Sequence, residues 1–404
     1  MALVIRVHAA LGFLLFPVLS SGLLSNDFPS LGRHRQNFYE TLRIPPMQHY
    51  YKTVRVQKQM FRTPGNPSSL LASTVPADEI PSLYKEQERL LVERGIAEAE
   101  LMKSTASPIQ PSISKGTGTA KGFASNTALA GTKPADLKAA AKIHAKELKK
   151  SGVVRIDNVL TNENADHLRE YVFNLRKTAD EQVRNAEVKA IERFADVLLK
   201  ENRCDLTIPL EDELVVDSLL WILQKTPVVQ TVSSILGKEA CLYELSCLIS
   251  DPGSQRQVTH PDTPCNSNTD DPVLYTCFIA LQDINVDMGP TTWIPYTHNI
   301  ESHEQFQDET PNAFTGESPK DALLRTKPSV LGLLPKGSCA IFDSRVIHCG
   351  GSNTSNISRA LFYCSFKSPK VGYPGNPGSI RRELQSKFTI TTLEKELKKL
   401  QKQR

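Results

Sequence analysis

A histidine and an aspartate stand two residues apart in the segment VTHPDTPC, residues 258–265. Side chains of an extended chain alternate between its two faces, so His260 and Asp262 point to the same side. An imidazole nitrogen and a carboxylate oxygen aimed at one point suit an iron(II) ion. The same spacing also occurs in ordinary loops, because a two-residue motif arises easily by chance. The pair therefore indicates a metal site only if a third ligand comes from elsewhere in the chain.

The third ligand is expected to be a second histidine, because iron(II) oxygenases use two histidines and one carboxylate on one face of the metal. The candidates are His298, His303 and His348. His348 follows a strand and turn pattern and precedes two glycines, which let the backbone approach a bound group closely. His298 and His303 flank a polar insertion at 300–328 and are predicted to be surface residues. We therefore expect His348 to complete the set.

An arginine follows His348 by eleven residues, within a strand of otherwise apolar character. A lone arginine that points into a protein interior is costly unless it meets an anion. The Arg359 guanidinium could bind the far carboxylate of a dicarboxylate co-substrate through two parallel hydrogen bonds. The alternative is a rim residue that faces solvent or an internal aspartate.

Helices are expected before residue 240. In the segment PADLKAAAKIHAKELKKSG, Leu137, Ala141, His144 and Leu148 recur at helical spacing, and Gly152 stands where a helix stop belongs. A short strand, VVRIDNVL, follows. Further helices are predicted at 161–178, 181–200 and roughly 211–236.

The sequence changes character after residue 240, where short β-branched or aromatic runs are separated by turn residues such as DPGS, DMGP and LPKGS. Roughly eight strands without long helices between them indicate an antiparallel sheet protein. A cupin-like jelly roll would hide its strand edges. The predicted fold is mainly β with flanking helices, a double-stranded β-helix core preceded by an N-terminal helical segment. The insertion at 300–328 is expected to form a lid or a flanking loop.

These motifs together resemble the phytanoyl-CoA dioxygenase family of iron(II) and 2-oxoglutarate oxygenases. The H-x-D pair is followed by Gly289-Pro290, by the segment IPYTH at 294–298, then by His348 and Arg359. Family members carry the sequence IPGSH where this chain has IPYTH at 294–298. Tyr296 and Thr297 therefore replace the Gly and Ser of the family motif. The resemblance covers roughly residues 137–367.

The resemblance implies an iron(II) centre with 2-oxoglutarate and O2 as co-substrates. Its implied metal ligands are His260, Asp262 and His348, and Arg359 is implied to bind the 5-carboxylate of 2-oxoglutarate. An aromatic residue and a hydroxyl beside the co-substrate, and an amide at the mouth of the site, are implied more weakly. The aromatic residue is Phe278, the hydroxyl belongs to Thr276 and the amide belongs to Gln257. A role in the hydrophobic core is an equal alternative for Phe278.

The implied reaction is hydroxylation of a small organic or acyl substrate, with release of succinate and CO2. Related halogenases lack the carboxylate ligand, so the presence of Asp262 favours hydroxylation. One alternative is a catalytically silent jelly-roll binding module. Another is a metal-dependent cupin without 2-oxoglutarate, although such sites present a close cluster of histidines that this chain lacks. No cluster of Lys or Arg near the motifs marks a coenzyme A phosphate site, and the substrate stays open.

The chain divides by composition into four segments: 1–22, 23–133, 134–370 and 371–404. The first has the layout of a signal peptide, and the second is a targeting or accessory region with a low-complexity linker. The third is the oxygenase domain, and the fourth is a basic tail that we expect to be a solvated helix. This order predicts entry into the secretory pathway, with onward transport to an organelle such as a plastid, or secretion as the alternative. A glycan at Asn353 or Asn356 would crowd the mouth of the site, so we expect either that these sequons are unmodified or that the final compartment is an organelle.

Composition excludes several classes of partner and site. The net charge is +4 over 404 residues, and no basic stripe with interleaved aromatic residues indicates nucleic-acid binding. Eight cysteines include no C-x-x-C pair, which argues against a zinc ribbon or a thioredoxin-type site. No second apolar segment is long enough for stable membrane insertion. A small-molecule substrate is the expected partner, and oligomeric state and disulfide pairing stay open.

Overall fold

The protein contains two β-sheets that face each other. The structure is a computed structural model that describes residues 102, 106–110, 133–195, 202–265, 271–371 and 378–404. The larger sheet has six strands, and every neighbouring pair in it is antiparallel. In spatial order its strands are Val153–Ile156 (β2), Cys339–Asp343 (β8), Leu274–Ala280 (β5), Arg359–Lys367 (β10), Cys241–Ser250 (β4) and Arg203–Thr207 (β3).

The smaller sheet has four described strands and lies against one face of the larger one. Trp293 from this sheet packs on Phe342 of β8, with ring centroids 5.6 Å apart. In spatial order its strands are Ala106–Pro108 (β1), Ser329–Leu331 (β7), Thr291–Trp293 (β6) and His348–Gly350 (β9). The predicted double-stranded β-helix core is thereby confirmed, apart from the parallel pairing of β1 with β7.

Helices cover the outer face of the larger sheet. Alternate strand residues such as Cys277, Ile341 and Phe362 join the helices in the main hydrophobic core, whereas Phe278 and Phe342 point between the sheets. This division follows from the two-residue period of a strand. The helices that contribute to this core are Pro134–Ser151 (α1), Asn162–Arg184 (α2), Glu213–Lys225 (α3), Val228–Leu236 (α4) and Ile390–Lys402 (α7). Two further helices, Ile300–Gln307 (α5) and Pro319–Thr326 (α6), pack on each other.

The first helix ends as the sequence predicts, with Gly152 in the left-handed conformation at φ 81°. The other helix boundaries differ. One helix, α2, replaces the two expected at 161–200, because the chain turns away after Asn185 through Ala186 at positive φ. Pro227 divides the helix expected at 211–236 into α3 and α4, since proline cannot donate the hydrogen bond that would continue α3.

Both ends of the described chain pack more closely than expected. Strand β1 lies in the segment predicted to be a low-complexity linker, and Ile109 just after it is buried between the sheets. The C-terminal helix α7 is not a solvated tail, because Ile390, Leu393 and Leu397 are buried and the helix packs against α3. The hydrophobic stripe that buries α7 lies among lysines, which explains why charge alone suggested a tail. The signal-peptide prediction for 1–22 lies outside the described residues.

All eight cysteines are free thiols, five of them buried, which agrees with their expected role as small hydrophobic residues. Every helix in the described ranges is too short or too polar to span a lipid bilayer.

Candidate metal centre

His260, Asp262 and His348 lie together at the opening between the two sheets. The Nε2 atoms of both histidines are 3.6 Å from Asp262 Oδ1, and one ligand atom from each residue lies within 4.8 Å of the other two. The two imidazole centroids are 4.7 Å apart. Two metal bonds of about 2.1 Å at right angles place their donor atoms about 3.0 Å apart. The three atoms therefore need only a small contraction to share one ion.

Backbone carbonyls orient both imidazoles toward this point. His260 Nδ1 lies 2.7 Å from the Val258 carbonyl, and His348 Nδ1 lies 2.8 Å from the Val346 carbonyl. A carbonyl accepts only, so each Nδ1 carries the proton and each Nε2 keeps its lone pair. Burial lowers the pKa of His348, and the neighbouring His260 acts in the same direction while Asp262 opposes it. The neutral form is the one that binds a metal.

Paired backbones hold the ligands in register although they are distant in sequence. His260 and His348 form an antiparallel bridge with two N–H to carbonyl hydrogen bonds of 2.8 Å. Beyond Asp262, the Thr263 amide donates to the Ser344 carbonyl, and the two hydroxyls lie 2.6 Å apart. The H-x-D segment is thus hydrogen-bonded to residues 344–348, the segment that ends at His348.

A cavity of about 320 Å³ opens beside the three ligands. It lies between the sheets and is lined by side chains from β3, β4, β5, β6, β9 and β10. The residues that line it are Arg203, Cys204, Asp205, Glu244, Leu248, Gln257, His260, Pro261, Asp262, Thr276, Phe278, Thr291, His348, Tyr363 and Ser379.

Thr276, Phe278 and Gln257, which the family resemblance implicates, all line this cavity. Phe278 also packs in the core, with its ring centroid 5.0 Å from Phe342 and 5.4 Å from Tyr363. Its two alternative roles are therefore compatible. The Gln257 side chain accepts a hydrogen bond from the Gly350 amide at 2.9 Å, which holds it beside the strand of His348.

Arg359 is completely buried but does not line the cavity. Its Nη1 donates to the Gly289 carbonyl and its Nη2 donates to Ser250 Oγ at 3.0 Å, while Nε has no hydrogen-bond partner. Burial, reinforced by the positive charge of Arg203, lowers the pKa of Arg359 to about 9. The structure therefore places Arg359 behind the cavity wall, one strand away from a second arginine.

That second arginine, Arg203, is a site residue that the sequence did not reveal. It pairs with Ser250 on β4 from the opposite side to Arg359, so the two guanidinium groups flank one serine. Its Nη2 donates to the carbonyls of Gln255 and Gly351 at 2.9 Å, and its Nη1 is buried without a partner. Burial lowers the pKa of Arg203 to about 10. The only signal in the sequence is a basic residue at the start of a short strand, RCDLT.

The other two histidines lie outside the ligand group. His298 is half-buried, and its Nε2 lies 3.0 Å from the Lys149 carbonyl at the end of α1. The prediction that His303 is a surface residue is wrong, because only 3% of it is exposed. Its Nδ1 accepts from the Cys265 amide and its Nε2 donates to the Arg345 carbonyl. The insertion expected as a lid or loop forms α5 and α6, and His303 on α5 connects it to the H-x-D segment.

The family profile described as "Phytanoyl-CoA dioxygenase (PhyH)" matches residues 148–361, which is more than half of the chain. No curated protein sequence matches. Among solved structures, the α-ketoglutarate-dependent epimerase SnoN from nogalamycin biosynthesis is 18% identical with a TM-score of 0.40, over 57% of this chain and 81% of SnoN. The carbocyclase SnoK from the same biosynthesis is 18% identical with a TM-score of 0.41, over 61% and 87%. HygX from Streptomyces hygroscopicus, solved with nickel, 2-oxoglutarate and hygromycin B, is 10% identical with a TM-score of 0.39, over 57% and 88%.

Proposed function

Because the chain belongs to the phytanoyl-CoA dioxygenase family and is a non-heme iron(II) and 2-oxoglutarate-dependent enzyme, we propose that it hydroxylates a small organic or acyl substrate. One oxygen atom of O2 enters a substrate C–H bond, and the other enters succinate as 2-oxoglutarate loses CO2. The observation that carries this proposal is the convergence of two imidazole nitrogens and one carboxylate oxygen at a cavity of substrate size.

The donor set suits iron(II). His260 and His348 present neutral nitrogens, Asp262 presents a charged oxygen, and Asp262 stands on the exposed side of the group. Two histidines and one carboxylate on one face leave the remaining coordination positions open, as oxygen chemistry requires. Iron(II) held there supplies the redox chemistry that couples decarboxylation of 2-oxoglutarate to oxidation of the substrate.

Arg203 and Arg359 support the binding of a dicarboxylate. No carboxylate in the described ranges forms an ion pair with either guanidinium, although both are buried. Two buried cations side by side are costly without an anion. We propose that Arg359, as the family resemblance implies, and Arg203, which lines the cavity, together hold the 5-carboxylate of 2-oxoglutarate.

Thr276 and Phe278 line the same cavity as Arg203 and the metal ligands. We propose that the Phe278 ring excludes water beside the co-substrate and that the Thr276 hydroxyl donates a hydrogen bond to it. A dry wall strengthens each charged contact in the cavity, because the local dielectric is lower than that of water.

The alternative is a silent binding module with the same fold. Anaerobic titration of the protein with iron(II) and 2-oxoglutarate separates the two, because a working site produces a weak visible charge-transfer band. We expect the band in the wild type and its loss in His348→Ala. A wild-type protein that folds but produces no band under saturating iron(II) and 2-oxoglutarate would contradict the proposed hydroxylase activity.

Succinate release tests the reaction itself. A screen of small metabolites against the iron-loaded full chain is expected to reveal substrates that raise succinate release above the rate with 2-oxoglutarate alone. His348→Ala provides the blank, because it lacks one metal ligand while its neighbours keep their backbone pairing.

We also propose that residues 1–22 direct the chain into the secretory pathway, with onward transport to an organelle such as a plastid. The support is the order of Arg6, an apolar stretch and small residues in the sequence. Fusion of residues 1–133 to a fluorescent protein is expected to exclude the reporter from the cytosol. A matched fusion that begins at residue 23 is expected to stay in the cytosol.

A further inference from the structure

The insertion at 300–328 contributes one buried histidine whose two ring nitrogens both meet backbone groups. This is His303 on α5, and only 3% of it is exposed. Its Nδ1 accepts a hydrogen bond from the Cys265 amide at 3.1 Å, and its Nε2 donates to the Arg345 carbonyl at 2.7 Å. The proposed reaction gives this imidazole no role, although it lies deep in the protein and both of its nitrogens are occupied.

The two partners of His303 belong to the two chain segments that carry the proposed metal ligands. Cys265 follows Asp262 by three residues, and Arg345 precedes His348 by three residues. The imidazole therefore joins the end of the H-x-D segment to the start of the segment that leads to His348. A contact between segments so distant in sequence affects how far apart their ligands stand.

The imidazole extends a ladder of backbone hydrogen bonds between these two segments. His260 and His348 exchange amide to carbonyl bonds of 2.8 Å, and the Thr263 amide donates to the Ser344 carbonyl at 3.0 Å. The residue after Thr263 is a proline, which has no amide hydrogen, so the next amide of the segment is the one that donates to the imidazole. The side chain of His303 thus supplies a further cross-link beyond the two that the backbone makes.

The helix α5 holds the imidazole in a fixed place. The Asn299 side chain caps the helix and accepts from the Ser302 amide at 2.9 Å, which satisfies one of the amides at its first turn. Phe306, one turn after His303, is buried, and α5 packs against α6. A helix anchored at its start and along its buried face presents His303 in one orientation.

The hydrogen bonds of His303 require its neutral form. An amide only donates and a carbonyl only accepts, so Nδ1 keeps its lone pair and Nε2 carries the proton. Burial lowers the pKa of His303, and the positive charge of Arg345 acts in the same direction, while the hydrogen bond to the Arg345 carbonyl and the negative charge of Asp343 oppose this. Both nitrogens are used for backbone groups, so His303 offers no lone pair to a metal.

We propose that His303 is a positioning residue, through which the insertion fixes the spacing between the H-x-D segment and the segment that ends at His348. This inference rests on the proposed function, and it gives the insertion a part in iron binding. Metal ligands bind tightly when the surrounding structure holds them at coordination distance before the ion arrives. Loss of the cross-link therefore weakens iron(II) binding although no ligand is changed.

Three substitutions separate the two hydrogen bonds. His303→Leu keeps a buried side chain and makes neither bond, His303→Asn can still accept from the Cys265 amide, and His303→Gln can still donate to the Arg345 carbonyl. We expect His303→Leu to bind iron(II) about tenfold or more weakly than the wild type, with the other two variants between them. Anaerobic calorimetry of the metal-free full chain with iron(II) gives each affinity.

Phe306→Leu is the matched control, because it weakens the packing of the same helix and removes no hydrogen bond. It should lower the unfolding temperature and keep the wild-type affinity for iron(II). A second measurement needs no iron: hydrogen exchange of the metal-free chain, read by mass spectrometry of peptides that contain 260–265 and 344–348. We expect exchange in these peptides to be faster in His303→Leu than in Phe306→Leu, because an amide without its acceptor opens more readily.

A folded His303→Leu variant with wild-type affinity for iron(II) overturns the inference. A Phe306→Leu variant that weakens iron(II) binding to the same extent also overturns it, because the effect then belongs to the stability of the helix. If His303→Leu does not fold, the Asn and Gln variants decide, and wild-type affinity in both overturns the inference. A wild type that binds no iron(II) contradicts the proposed function, and this inference with it.

Discussion

At the scale of single residues, the two arginines beside Ser250 carry the strongest energetic argument in the site. Each guanidinium is buried and satisfied only by neutral acceptors, and each lowers the cost of bringing an anion to the other. An unpaired buried charge costs several kcal/mol, so two neighbouring buried guanidinium groups favour an anionic ligand. Arg203 lines the cavity and Arg359 does not, so Arg203 is the better residue to test.

Arg203→Met removes the cation and keeps the length of the side chain. We expect the KM for 2-oxoglutarate to rise about 10- to 100-fold, since a hydrogen bond to a charged group contributes about 1.5–3 kcal/mol. The affinity for iron(II) should change little, because Arg203 touches none of the three metal ligands. Steady-state succinate release against 2-oxoglutarate concentration gives the first quantity, and anaerobic iron titration gives the second.

Arg325→Met is the control for that measurement, because Arg325 is exposed and pairs with Glu317 on the surface. It should leave the KM for 2-oxoglutarate unchanged. An Arg203→Met enzyme with a wild-type KM would remove Arg203 from the co-substrate site and leave Arg359 alone in that role.

At the scale of elements, the helix α1 contains a buried histidine on its apolar stripe. His144 is a buried residue of α1, a helix that packs against α4, and burial lowers its pKa from 6.5 to about 4. The folded chain therefore holds His144 neutral, whereas the unfolded chain protonates it below pH 6.5. The stabilising contribution is complete above pH 6.5 and is lost as the pH falls toward 4.

His144→Leu should remove part of this dependence. At pH 5 the protonation of His144 is expected to cost the wild type about 2 kcal/mol of unfolding free energy, at about 1.4 kcal/mol per pKa unit. Urea unfolding at pH 7.5 and pH 5 measures the difference, which should be smaller in the variant. His167→Leu, at an exposed position of α2, should keep the wild-type slope. Equal slopes in His144→Leu and the wild type would contradict the prediction.

The strand β1 is the second element with a testable role. Met102, which precedes it, is buried, and its sulfur lies 3.7 Å from Thr259 Oγ1 and 3.8 Å from Cys349 Sγ. Thr259 and Cys349 each adjoin a proposed metal ligand. Met102 therefore packs against the two backbone segments that carry His260 and His348.

A chain that begins at residue 133 loses this support, whereas a chain that begins at residue 102 keeps it. We expect the shorter chain to bind iron(II) about 10- to 100-fold more weakly, as when groups that orient metal ligands are removed. It should also unfold at a lower temperature. Comparison of the two chains by iron titration and thermal unfolding gives the result, and equal affinities would show that β1 is dispensable for the metal site.

At the scale of the whole molecule, the two faces of the larger sheet have different roles. Helices pack against one face, and the other face lines the cavity. The C-terminal helix α7 belongs to this layer and closes it against α3. Removal of residues 386–404 would expose the partners of Ile390, Leu393 and Leu397. Each buried aliphatic side chain contributes about 1.5–3 kcal/mol, so the deletion should lower the unfolding free energy by several kcal/mol.

Urea unfolding of the deletion variant beside the full chain measures that loss. Lys395→Ala, which changes a residue of α7 outside the buried stripe, is the control and should change stability little. A deletion variant with wild-type stability would show that α7 contributes little to the fold, as expected for the solvated tail that its charge suggests.

Local sequence patterns were sufficient to predict much of the fold of this protein and part of its candidate site. The helical stripe of α1 and the alternation of the strands after residue 240 describe neighbours in the chain, and the structure confirms both. It also brings the side chains of His260 and Asp262 to one point, as their two-residue spacing predicts. His348 and Arg359 were selected from the strand and turn residues around them, and the family resemblance implies the same two residues. The structure brings His348 to the H-x-D pair and places Arg359 behind the cavity.

The sequence by itself determined which residue types were available for a metal and which segments could form sheets, because those properties depend on a few adjacent residues. Only the tertiary structure decided that Arg203 joins Arg359 across β4, that His303 is buried, and that Asp205 and Glu244 share a cavity with the metal ligands. These contacts join residues that are far apart in the chain, and strand pairing rather than local spacing brings them together. No periodicity along the sequence records such a pairing, since it depends on which strands lie side by side.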